Sequence, residues 1–389
     1  MSSETPTFHE SLEILKQLIR IPSVNPSLVA EGTGEREIAE FLCDFLQRND
    51  IEATLQHVIA ERCNVVAVVR GLRPGARILL NGHLDTVSVA GMRNPFGAAE
   101  QNGRIFGRGS QDMKSGLAAS VAALLELQRR RHDLAGEVVL AGVIDEEDKS
   151  LGTQHFLKHW PKDRPFSFGV VLEPTDLKVC TAHKGFAWLE VQTRGIAAHG
   201  SRPAEGVDAI RSMGRILEKL DRLDRRLQSQ SGHALLGTGS LHASLIEGGR
   251  EWSSYPDFCR LKYERRTLPG ETDEVVSAEL EQLLNELRAE DPHFVATAQL
   301  PLARSPFQIS RDHPQVRAFY DAARRRLPQL VDWGSCSFWT DAALMAEAGI
   351  PTVVFGSRGA GLHSTEEYVV ASDVSACAAV LFHFLMGQT

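Results

Sequence analysis

Seven imidazole and carboxylate side chains fall at expected strand ends or in loops, and their types suit metal-assisted hydrolysis. His83 and Asp85 close the run ARILLNGHLD. Asp112 lies in the loop GRGSQDMKSG, just before a helical pattern. Glu146 and Glu147 close EVVLAGVIDEE, Glu173 closes FGVVLEP, and His363 sits in a Gly-rich loop after PTVVFG. Open α/β sheets place their ligand sites at the C-terminal ends of strands. Imidazole plus carboxylate, with no thiolate, suits zinc, cobalt or manganese in a hydrolytic site. Two such ions sharing one carboxylate and one hydroxide need about five protein ligands, with a position left open for water. Three ligating carboxylates and a hydroxide would balance the charge of two divalent ions. A spare carboxylate beside the water would then serve as general base.

Each signal is weak alone. A lone H-x-D is rarely a metal site, a Glu-Glu pair is usually a solvated surface, and one His in a Gly-rich loop is usually only a polar loop residue. The conjunction differs, because the carboxylates terminate apolar strands, where a buried charge without a counterion is costly.

The elements that must position these residues read as two kinds of domain. Residues 8–20 and about 35–48 have helical spacing, and EATLQHV, NVVAVV and ARILLNGHLD read as strands. A helix follows over about 115–130. The short continuous apolar runs EVVLAGVID and FGVVLEP suit strands buried on both faces. Alternation to about residue 180 predicts an α/β domain. Beyond Lys184 the order becomes β-α-β-β-α-β, the ferredoxin-like arrangement. It comprises a strand at 185–194, a helix bearing Ile210, Met213, Ile216, Leu217, Leu220 and Leu223, strands near 240–246 and 258–265, a helix capped by Thr272 and carrying Val275, Val276, Leu280, Leu283 and Leu287, and a strand near 294–298. Helices at 313–327 and 341–348, the strand PTVVFG and a helix from Ser372 restore α/β character. The predicted organisation is 1–182 and 302–389 as one α/β domain, interrupted by an α+β domain at 183–301.

Length and composition agree with this. A chain of 389 residues exceeds the size of one ordinary core. A net charge of -8 argues against a nucleic-acid partner. No apolar stretch approaches the roughly 20 residues that span a bilayer, and the N-terminus MSSETPTFHESLEILK lacks a signal-peptide pattern. These features predict a cytoplasmic protein with no membrane partner. Six cysteines without a C-x-x-C pair read as buried thiols.

Eight stretches, in order, resemble the M20 metallopeptidase and amidohydrolase family: NGHLDTV, GRGSQDMKSG, IDEEDKSLGT, LEPTD, AAHGSRPAEGVDAI, ERRTLPGE, FWTDA and GLHSTEEYV. That family includes acetylornithine deacetylase, succinyl-diaminopimelate desuccinylase, aminoacylases and glutamate carboxypeptidases. The resemblance implies a zinc-exopeptidase-like α/β/α catalytic domain with the inserted domain as lid and dimerisation domain. It implies two divalent ions, zinc first, with cobalt or manganese as alternatives. His83 and Glu173 would bind one, Glu147 and His363 the other, with Asp112 bridging. Asp85 would hydrogen-bond the His83 imidazole. Glu146 would deprotonate the bridging water and later protonate the leaving amine. His199 would stabilise the oxyanion, often across a dimer, and Arg266 would grip the substrate α-carboxylate.

The chain also departs from the pattern. Trp252-Ser253-Ser254-Tyr255 stands where many relatives carry Asn-Val-Val, and Glu264 stands where Asp is usual. The implied function is hydrolysis of an N-acyl amino acid with a free carboxylate by a homodimer. Dipeptidase or glutamate-type carboxypeptidase action is the alternative. The absence of a G-x-S-x-G elbow and of a P-loop Gly-Lys argues against a serine esterase and a nucleotide enzyme. A non-catalytic binding protein would be expected to have lost a ligand or the base, and none is missing.

Overall fold

A computed structural model describes residues 8–387. Residues 1–7, where the reading of the N-terminus begins, lie outside the described residues. The chain divides into two compact units. One holds the chain to Thr181, Ile309–Ser335 and the chain from Thr340; the other holds Ala182–Gln308 with Cys336–Trp339. The second unit therefore begins within a residue of the expected 183, runs past 301, and includes a short segment that no periodicity marks.

The first unit opens with α1 (Glu10–Arg20) and α2 (Arg36–Arg48), followed by β1 (Glu52–Ile59), β2 (Arg62–Arg70) and β3 (Arg73–His83). The short β4 (Ala99–Gln101) and β5 (Arg104–Phe106) precede α3 (Lys114–Arg129). Then come β6 (Ala135–Val143), α4 (Leu151–His159), β7 (Phe168–Val171) and β8 (Val179–His183). Ile78–His83 and Phe168–Val171 are buried at every position. A strand buried on both alternating faces has cover on both sides of the sheet, which is why Ile78–Leu80 and Phe168–Val171 are continuously apolar rather than alternating.

The second unit follows in the expected order: β9 (Gly185–Arg194), α5 (Ala209–Ser229), β10 (Ser240–Gly248), β11 (Phe258–Thr267), α6 (Asp273–Glu290) and β12 (Val295–Arg304). Its sheet runs β10-β11-β9-β12, all antiparallel. α5 buries Met213, Ile216, Leu220, Leu223 and Leu227 against it. Ile210 and Val275, which share the helical spacing, are exposed instead. Both lie in the first turns of their helices. Thr272 occupies the N-cap of α6, but its side chain makes no capping bond to the helix.

The chain then adds β13 (Phe307–Gln308), α7 (Pro314–Arg326), β14 (Trp333–Cys336), α8 (Ala342–Glu347), β15 (Thr352–Val354), β16 (Gly359–Ala360), β17 (Tyr368–Val370) and α9 (Ala371–Met386). The large sheet runs β1-β2-β6-β3-β7-β15-β8-β13, with β14 pairing β8. Its four central strands, β6, β3, β7 and β15, are parallel neighbours. Their C-terminal ends therefore share one edge. Helices α1, α2, α3, α7 and α9 contribute to one continuous apolar core with the sheet. Gly116 on α3 permits a close approach, since a Cβ there would lie 2.1 Å from the carbonyl oxygen of Leu172. Among the described residues no helix is long and apolar enough to cross a membrane, and the six cysteines are free, all buried except the half-buried Cys63.

Candidate metal centre

The edge shared by the four parallel strands gathers the predicted donors. β3 ends on His83, β6 leads into Asp145–Glu146–Glu147, β7 leads into Glu173, and the loop after β15 reaches His363. Asp112 enters from the loop before α3. His83 Nε2 lies 3.1 Å from Asp112 Oδ1 and 3.5 Å from Glu173 Oε1. His363 Nε2 lies 3.3 Å from Asp112 Oδ2 and 3.0 Å from Glu147 Oε2. The two oxygens of Asp112 thus face different imidazoles, with Glu173 on one side and Glu147 on the other.

Donor atoms of His83, Asp112 and Glu147 lie within 4.8 Å of one another, as do those of His83, Glu146 and Glu173. Glu146 therefore stands among the donors rather than outside them. It is distinguished by its pairing: Glu147 meets His363, whereas no ion pair joins Glu146 to either imidazole among the described residues.

The electrostatics fit a cation. Burial drives Glu146 and Glu173 well above the ordinary carboxylate range, although His83 pulls the other way. Burial pushes Glu147 up to about 7, and its Oε1 is buried without a hydrogen-bond partner. Against burial, hydrogen bonds from His363 and His83 hold Asp112 well below its usual value. A set of buried carboxylates with an unpartnered oxygen among them is the environment that a divalent ion stabilises.

The same geometry fixes how metal binding depends on pH. Hydrogen bonds to Asp112 and then Glu147 raise His363 to about 10. Burial works against a proton on His83, but Asp112 and the charges of Glu173 and Glu146 raise it well above its ordinary value. An ion held by these imidazoles would displace protons from them and from the carboxylates that burial raises. Calorimetry in buffers of different ionisation enthalpy should show net proton release on Zn2+ binding, with affinity falling as pH is lowered through the neutral range. Affinity independent of pH across the neutral range would contradict this.

Asp85 differs from expectation in its contacts. His83 Nδ1 is 2.9 Å from the backbone oxygen of Asp85 and 3.6 Å from its carboxylate. The Asp85 carboxylate instead accepts the backbone N–H groups of Glu146 and Glu147 at 3.1 and 3.2 Å. The carbonyl is placed to set the His83 tautomer, and the carboxylate holds the turn that carries two acids.

Sequence reasoning missed Glu367 and Asp341. Glu367, buried, accepts the N–H groups of Gly109, Gln111 and Asp112 at 3.1, 2.8 and 3.1 Å, and pairs with the buried Arg108 at 2.7 Å. It ties the loop bearing His363 to the loop bearing Asp112. Its place four residues after His363, at the end of an exposed-looking STEE run, hides this role. Glu367→Ala should destabilise the protein by about 3–5 kcal/mol, because it strands a buried guanidinium and three N–H groups; an unchanged midpoint in denaturant would contradict that. Asp341 is buried, accepts the Thr153 hydroxyl at 2.5 Å, and is pushed by burial up to about 6.

His199 and Arg266 belong to the second unit. His199 is exposed; its Nδ1 lies 2.8 Å from the Ser201 hydroxyl and accepts the Ser201 N–H at 3.2 Å, which leaves Nε2 for a ligand. An isolated bridge joins His199 to Ser254. Arg266 pairs with Glu264 at 2.6 Å and lies 5.6 Å over the Phe186 ring. Trp252 is fully exposed, and the Tyr255 ring packs against Gly206.

Comparison with known proteins bears on the family. The model of peptidase family M20/M25/M40 matches residues 79–387. An acetylornithine deacetylase of Myxococcus xanthus is 32% identical over 342 residues, covering 84% of this chain and 86% of the relative. A probable succinyl-diaminopimelate desuccinylase of Staphylococcus epidermidis is 26% identical, covering 92% and 93%. Among solved structures, aminopeptidase PepT from Bacillus cereus superposes with a TM-score of 0.79 at 17% identity, covering 99% of this chain and 100% of that one. At that identity the likeness is one of fold.

Proposed function

The chain belongs to peptidase family M20/M25/M40, and from that premise we propose that it is a deacylase cleaving the amide bond of an N-acyl amino acid with a free carboxylate. As a metal-dependent amide hydrolase, it would hold one ion through His83 and Glu173 and a second through Glu147 and His363, with Asp112 shared. Zinc fits this donor set first, then cobalt or manganese. When bound, the ions would polarise the amide carbonyl and make water more acidic. The observation that carries the reading is Asp112, whose two oxygens face two imidazoles, each flanked by a further carboxylate.

In this reading Glu146 takes a proton from water as the water oxygen bonds to the amide carbon. It then gives that proton to the amide nitrogen as the C–N bond breaks. An acid and an amino acid result. A buried carboxylate whose proton affinity is raised by burial can hold the proton between the two transfers. Asp85 holds the backbone of Glu146 and Glu147. His199 is assigned to the oxyanion and Arg266 to the substrate carboxylate, as the resemblance implies. Arg266 must then exchange its contact with Glu264 for the substrate.

The names of the two curated relatives support an N-acyl substrate. A screen of N-acetyl, N-succinyl and longer N-acyl amino acids against dipeptides tests it. Free amine should appear fastest from an N-acyl amino acid, and methylation of its carboxylate should abolish the preference. Faster cleavage of dipeptides would favour the peptidase alternative. The second unit also supports a homodimer. β10 is an edge strand whose Leu245 and Ile246 are exposed, a surface that folded chains usually cover. Sedimentation should show a dimer that Leu245→Lys weakens.

A further inference from the structure

Behind the donors lies a second buried polar network that the reaction as described does not use. Its centre is Asn25, in a segment that reads in sequence as a Pro/Ser-rich break. Asn25 is fully buried. Its backbone N–H donates to the Thr86 carbonyl at 2.9 Å, and Val24 and Thr86 form a parallel bridge. That bridge places the side chain beside the end of β3. The Asn25 amide Nδ2 donates to Asp85 Oδ2 at 2.8 Å and to Asp145 Oδ1 at 3.2 Å. Its Oδ1 accepts the Ser27 N–H at 2.8 Å and Arg62 Nη2 at 3.2 Å. Two donor hydrogens and two acceptor sites are all engaged, so the orientation of the amide is fixed.

Arg62, on β2, anchors the network. Its guanidinium grips Glu35 through Nε at 2.7 Å and Nη2 at 2.5 Å, and Nη2 also reaches Asp145 Oδ1 at 2.9 Å. Asp145 Oδ1 further accepts the Ser27 hydroxyl at 2.9 Å. Asp145 directly precedes Glu146 and adopts a left-handed backbone, φ 66°. A non-glycine residue holds that conformation only when its surroundings determine it. The Asp145 carbonyl accepts the N–H groups of Lys149 and Ser150 at 3.1 and 2.5 Å, closing the turn on which Glu146 and Glu147 ride.

We propose that Asn25 and Arg62 are positioning residues, which clamp Asp85 and Asp145 and so fix the turn that presents Glu146 and Glu147. Two routes run from them to the same turn. One passes through Asp85 to the N–H groups of Glu146 and Glu147. The other passes through Asp145 to the bend before them. The inference rests on the proposed roles of Glu146 and Glu147, and adds residues from α1's following loop and from β2 that touch neither substrate nor ion.

The test uses the full-length chain and two variants. Asn25→Ala removes the link to Asp85 while Arg62 still pairs with Asp145. Arg62→Lys keeps the charge but cannot form the fork, and serves if the first variant does not fold. Metal-free protein is titrated with Zn2+ against a chelator of known affinity, and kcat and KM are measured on the best substrate. Loss of an outer partner of this kind costs about 10–100-fold in metal affinity or activity. We expect such a fall in Zn2+ affinity and in kcat for both variants, with KM little changed, and some fall in melting temperature beside it, because buried hydrogen bonds are lost. Parental Zn2+ affinity and kcat in a folded variant would overturn the proposal. So would a lowered melting temperature with unchanged Zn2+ affinity, which would mark a purely structural role. Failure of the parent chain to bind Zn2+ would instead overturn the reading of the site itself.

Discussion

Glu146→Gln should lower kcat by about 10²–10⁴-fold while leaving metal content at the parental level. The expectation comes from its two-sided position. Glu146 stands within the donor group of His83 and Glu173, yet unlike Glu147 it forms no ion pair with an imidazole among the described residues. It is buried, and burial raises its proton affinity. Gln preserves the shape but cannot carry a proton from water to the leaving nitrogen. KM should change little, because the interaction lost is one made in the transition state. Retained kcat would remove Glu146 as the base. Loss of bound metal would move it into the ligand set, as its place among the donors allows.

Asp112→Ala should have the larger effect on the metals. Asp112 is the one carboxylate with an oxygen toward each imidazole, at 3.1 and 3.3 Å. Its removal takes a ligand from both ions and leaves the other buried carboxylates to repel one another. Changes to mere outer partners cost about 10–100-fold in metal affinity, so loss of a shared ligand should exceed about 100-fold and leave no measurable turnover. The cradle that Glu367 gives the loop before Asp112 stays intact in this variant, so the fold should survive. Two ions bound at parental affinity would show that Asp112 is not shared.

Much of this centre is legible in sequence because strand ends are legible. The runs closing on His83, Glu147 and Glu173 are mostly apolar, and the largely buried parallel strands β3, β6 and β7 follow from that. The second unit was equally readable, since α5 and α6 bury one stripe of leucines each. What sequence could not provide is what depends on distant contacts. The short strands β8 and β14 pair with each other and carry no period of their own. Glu367 looks like one of several loop acids until three N–H groups from residues 109–112 converge on it. Asn25 sits in a stretch whose prolines and serines predict only a break, and its function appears once the Thr86 bridge carries it to Asp85. The Asp85 carboxylate is hidden for the same reason: it lies two residues from His83 but 3.6 Å from the imidazole, and the turn after β6 comes closer.

Every role proposed here depends on a pair of ions between His83 and His363. Elemental analysis of the chain, loaded with Zn2+ and freed of excess by gel filtration, measures that directly. Two ions per chain are predicted, held by donors that Asp112 joins. A value near zero would contradict the centre, and with it every role assigned around it.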